Sequence, residues 1–76
     1  MPDRLSPISA ERLIRALERD GWYEVKSRGG HRHLKHSTKS GRVTVPVHGS
    51  QDLEPWLIGQ ILKQADLSVE AFLKLS

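Results

Sequence analysis

Two adjacent glycines, Gly29-Gly30, lie between two stretches that read as extended chain, residues 22–26 and 31–36, and nothing else in the sequence restricts the fold so tightly. Glycine reaches left-handed backbone conformations without steric penalty, while aromatic and β-branched residues favour strands. A turn over Ser27-Arg28-Gly29-Gly30 therefore folds the two stretches into an antiparallel hairpin. Polar turn material at residues 37–41 follows. The run Arg42-Val43-Thr44-Val45 then alternates as a third strand, which Pro46 ends because it lacks a backbone donor. The prediction is a three-stranded antiparallel sheet.

Helical signals flank this sheet. Ser9 is placed to cap a helix, with Ile8 before it and Leu13 after it at the spacing of a hydrophobic staple. Ala10, Leu13, Ile14 and Leu17 recur at i, i+3, i+4 and i+7, with Glu11, Arg15 and Glu18 opposite, and Asp20-Gly21 supplies the stop. After a loop over residues 47–53, Pro55 suits the first turn of a second helix, whose stripe is Leu57, Ile58, Ile61, Leu62 and Ala65. Leu67-Ser68 repeats the staple and cap, with Phe72 four residues on, so a short helix closes the chain. The class is α+β: helix, three-stranded antiparallel sheet, helix, plus a short C-terminal helix.

Period-2 alternation predicts that Tyr23, Val25, Leu34, Val43 and Val45 face the helices. Lys26, His31, His33, Lys35, Arg42 and Thr44 then share the open face. Arg32 falls out of pattern, since alternation points it inward beside Leu34. Trp22 and Trp56 each adjoin an element boundary and are expected at the core edge.

A chain of 76 residues is enough for one domain, residues 1–76, and with no cysteine its core or a partner must supply its stability. Absent thiols also remove cysteine nucleophiles and thiolate metal sites, and suit a reducing compartment. Residues 1–9 hold no apolar run of signal-peptide length and no segment is long enough to span a bilayer, so the expectation is a soluble, unprocessed, cytoplasmic protein with no membrane partner.

The net charge of +3 is unevenly spread: residues 25–51 contain no acid and carry Lys26, Arg28, Arg32, Lys35, Lys39 and Arg42, a local +6, together with all four histidines. Such a segment suits a polyanion. Within it, His31 follows the paired glycines and stands between Arg28 and Arg32. Glycine lets a phosphate backbone approach closely. An imidazole titrates near neutrality and can move the proton when an RNA 2′-hydroxyl attacks the neighbouring phosphate, while nearby cations stabilise charge on the phosphoryl oxygens. On chemistry alone a lone histidine is more often an ordinary surface or core residue. His31-x-His33 also has the spacing of two metal ligands on a strand, but without carboxylates or thiolates nearby a cation is repelled, so no metal or cofactor is expected. The loop Val45-Pro46-Val47-His48-Gly49-Ser50 reads as a structural turn.

Arg28-Gly29-Gly30-His31-Arg32-His33-Leu34-Lys35-His36 and Gly41-Arg42-Val43-Thr44-Val45-Pro46-Val47-His48-Gly49-Ser50, in this order, resemble the HicA toxin family. Leu17-Glu18-Arg19-Asp20-Gly21-Trp22 before them and residues 61–72 after them resemble the same family, so the likeness covers nearly the whole chain. The resemblance implies a fold similar to the double-stranded RNA-binding domain and an endoribonuclease (mRNA interferase) toxin of a type II toxin–antitoxin system. It also implies inhibition by a HicB-type antitoxin that assembles with the toxin as a hetero-oligomer. It assigns His31 the catalytic role. Where the family usually has glycine, serine, histidine, this chain has Gly30 in place of the serine. Lys26, Arg28, Gly30, Arg32, His33 and Lys35 are the expected RNA contacts. The alternative is a non-catalytic RNA-binding module, which would keep its function without His31.

Overall fold

The computed structural model describes residues 5–76; the first four, part of the stretch read for a leader, lie outside the described residues. Strand β1 (Ile8–Ser9) leads into helix α1 (Ala10–Arg19), and β2 (Trp22–Arg28), β3 (His31–His36) and β4 (Val43–Pro46) form the antiparallel sheet in the order β2-β3-β4. Strand β5 (Asp52–Leu53) pairs with β1, and helices α2 (Pro55–Gln64) and α3 (Val69–Leu75) close the chain. This is the expected α+β, double-stranded RNA-binding-domain-like arrangement. No described helix is long and apolar enough to cross a membrane.

Local signals act as the residue types dictate. Ser9 Oγ accepts from the Arg12 amide at 3.2 Å, and Ser68 Oγ from the Ala71 amide at 3.0 Å, so each satisfies a first-turn donor that the helix cannot. Gly21, at φ 109°, ends α1. Leu13, Leu17, Leu34, Val43, Val45, Ile58, Ile61, Leu62 and Phe72 meet between the helices and one face of the sheet. Lys39 joins the ends of α1 and α2: its Nζ donates to Asp20 Oδ2 at 2.8 Å and to the carbonyls of Ala65 and Asp66 at 2.9 and 3.2 Å. A cation there meets the negative ends of two helix dipoles.

The structure corrects the face assignment of β2. Tyr23 and Val25 are 49 % and 44 % exposed, whereas Trp22 is buried and its ring meets His36 edge-on at 5.1 Å. Pairing explains the inversion: Trp22 opposes His36 and Glu24 opposes Leu34, so before the irregularity that follows Glu24 it is Trp22 and Glu24 that face the helices. Burying the indole gains more apolar area than burying Val25, and a one-residue slip flips every side chain. The exposed Trp56, expected at the core edge, is a second correction. Strand limits also move: β2 runs on to Arg28, and β4 starts at Val43 and includes Pro46, which pairs with His31.

His36 is a bracing residue. Its Nε2 lies 2.7 Å from the Asp20 carbonyl, and its Nδ1 accepts from the amides of Thr38 and Lys39 at 3.1 and 3.2 Å. Backbone donors at Nδ1 leave Nε2 to donate, which fixes the tautomer.

Candidate RNA-cleavage surface

The hairpin loop is two residues long, with Arg28 opposite His31 across it. Gly29, at φ 58°, supplies the left-handed step that so short a reversal requires. His31 is therefore the first residue of β3, exposed at the end of the sheet, with Arg28 and Pro46 as its cross-strand neighbours. Directly opposed residues place their Cβ atoms about 5 Å apart, so the Arg28 and His31 side chains emerge together.

Alternation along β3 brings His33 and Lys35 to the same face as His31. His33 Nδ1 lies 3.0 Å from Thr44 Oγ1 on β4, which fixes its ring. Opposite His33 the pairing slips: Glu24 pairs with Leu34 and Ser27 with Arg32, so Val25 and Lys26 together face one residue. Such a bulge re-aims side chains and increases twist. It also puts Glu24 and Ser27 on one side of β2, where Ser27 Oγ donates to Glu24 Oε2 at 2.6 Å.

Arg32 stands apart from the other expected contacts. It lies on the helix side of the sheet, where its Nε and a terminal nitrogen donate to the two carboxylate oxygens of Glu24, both at 2.8 Å. Glu11 of α1 lies 4.0 Å away. The forked Arg32 hydrogen bonds first, and Ser27 second, hold the Glu24 carboxyl down at about 2 from an ordinary 4.5. A depressed carboxylate stabilises the fold above its unfolded value and loses that contribution as pH falls from about 4.5 toward 2. With the Arg32 and Glu24 side chains 31 % and 29 % exposed, solvent screening reduces the pair to about 1 kcal/mol. Urea unfolding at pH 6 is expected to show Glu24→Gln weaker than the parent by about that amount, and the gap is expected to close near pH 2. A gap that persists at low pH would mean that the carboxylate charge is not its source.

Gly30 continues the β3–β4 ladder by one bond, accepting from the Val47 amide at 2.6 Å. A Cβ at Gly30 would lie 2.9 Å from the Val47 carbonyl oxygen, so a serine at this position requires backbone to move. Gly30→Ser is expected to lower stability by about 1–3 kcal/mol, read from the urea midpoint. An unchanged midpoint would show that the loop after β4 yields freely.

The structure thus brings Arg28, His31, His33 and Lys35 onto one face, with Lys26 in the bulge beside them, and sets Arg32 on the other. Arg42 immediately precedes β4. A cleft of about 410 Å³ lined by Pro7, His48, Asp52 and Leu57 among others includes none of the expected site residues. An open, cationic surface suits a polymer better than an enclosed small molecule. Among the described residues no group of three or more His, Cys, Asp or Glu could hold a metal ion.

A family model described as the HicA toxin of bacterial toxin–antitoxin systems matches residues 10–67, more than half of the chain. The chain belongs to the HicA toxin family. The matched span runs from α1 through the sheet and α2, and so includes His31 and every expected RNA contact. No curated protein matches the chain. Membership makes this HicA chain the toxin half of a toxin–antitoxin pair. Tyr23, which alternation turned inward, is the residue on this face that sequence reasoning passed over; the signal was Trp22, the larger apolar neighbour competing for the core.

Proposed function

We propose that the chain is a metal-independent endoribonuclease, an mRNA interferase that cleaves RNA with His31 as general acid/base and is inhibited by a HicB-type antitoxin in a hetero-oligomer. The observation that carries this reading is the placement of His31: exposed, at the end of the sheet, beside Arg28 and next to two glycines, in a chain of the HicA toxin family. Lys26, Arg28, His33 and Lys35 bind phosphates and offset the charge of the transition state, and the bare backbone at Gly30 allows close approach. Arg32, held by Glu24, supports the strand that presents His31. Such chemistry needs no cofactor, and a reducing cytoplasm suits the chain.

The test is incubation of the purified chain and its His31→Ala variant with labelled single-stranded RNA in the presence of a chelator. Cleavage by the parent alone is the expected result. Retained RNA binding with no cleavage by either would favour the non-catalytic RNA-binding module instead.

A further inference from the structure

Tyr23 and Val25 are half-exposed apolar side chains on the sheet face that carries His31, and the mechanism above leaves them unused. Tyr23 pairs with Lys35, so an aromatic ring lies beside a cation. Lys35 is four residues from His31 along β3, about 13 Å. No carboxylate interrupts the surface between them: the one carboxylate of β2, β3 and β4 is Glu24, which lies on the opposite face and is held there by Arg32 and Ser27. β2 is also an edge strand, so no further strand among the described residues shields Tyr23 from its outer side.

We propose that Tyr23 is a base-stacking platform that positions single-stranded RNA for cleavage at His31, with Lys35 holding the adjoining phosphate. This inference rests on the RNA-cleavage reading and adds the substrate's form: an unpaired base must be free to lie on the ring. Duplex bases are stacked on one another and present no face to it. Stacking on an aromatic ring is indifferent to base identity, so Tyr23 governs affinity for unpaired strand and leaves sequence choice to other contacts.

The proposal is tested with His31→Ala as the background, so that the probe is not cut. The probe is a short fluorescein-labelled single-stranded RNA, alone or annealed to its complement, followed by anisotropy across a salt series. Tyr23→Ala is expected to weaken single-strand binding about tenfold or more with the salt slope unchanged, because stacking releases no counterions. Tyr23→Phe is expected to retain the affinity, which separates ring loss from misfolding. Lys35→Ala is expected to lower the salt slope by about one. Single-strand affinity that survives Tyr23→Ala, or an equal loss on duplex, overturns the stacking role while leaving cleavage by His31 intact. A parent that binds neither form overturns the stacking role and the RNA-cleavage reading together.

Discussion

His31→Ala is expected to lower the rate of RNA cleavage by about 10²–10⁴-fold, the usual contribution of a positioned acid or base. The same change is expected to leave stability within about 0.5 kcal/mol, because the imidazole is exposed and makes no side-chain hydrogen bond among the described residues. The other histidines of the sheet supply the control. His36 is committed to Asp20, Thr38 and Lys39, and a Cβ at Gly21 would lie 2.6 Å from its Nε2, so its ring fills a fixed site in the fold. His36→Ala should therefore show its effect first in unfolding, whereas His31→Ala should show it in turnover with RNA affinity retained. His33 stands between the two, on the cationic face but tied to Thr44. Equal turnover by parent and His31→Ala would remove the imidazole from the chemistry and transfer the acid or base role to another group on this face.

What could be read in advance follows the range of the interactions involved. Caps at Ser9 and Ser68 and the stop at Gly21 are decided within four residues, and each stands where its residue type implies. His31 was legible for the same reason, since its glycines and Arg28 adjoin it in the chain and period 2 alone sends His33 and Lys35 to its side. Pairing of β1 with β5 joins residues more than forty positions apart through two short segments with no strand pattern of their own. Nothing local announces it. The Glu24–Arg32 fork depends on the hairpin register and on a bulge opposite His33, so the out-of-pattern inward arginine was visible while its partner was not. Tyr23 and Val25 were misplaced because Trp22-Tyr23-Glu24-Val25 supports either alternation, and the choice depends on how much apolar area each buries against α1 and α2.

That choice has a direct thermodynamic consequence. Trp22→Ala is expected to cost about 3–5 kcal/mol, since it empties an almost fully buried indole site and removes the edge contact to His36. A domain of this length has on the order of 4–11 kcal/mol to lose, so the variant is expected to sit near the margin of folding. The indole N–H is buried without a hydrogen-bond partner among the described residues, so Trp22→Phe, which removes that donor along with part of the ring, is expected to cost less than truncation to alanine. Tyr23→Ala, one residue along, is expected to cost no more than about 1 kcal/mol, because half of its surface is already in solvent. Urea unfolding of the three variants therefore measures the register of β2 directly. Were Tyr23 the inward residue, the order of the two alanine losses would reverse, and the open face would lose the aromatic ring on which the stacking role depends.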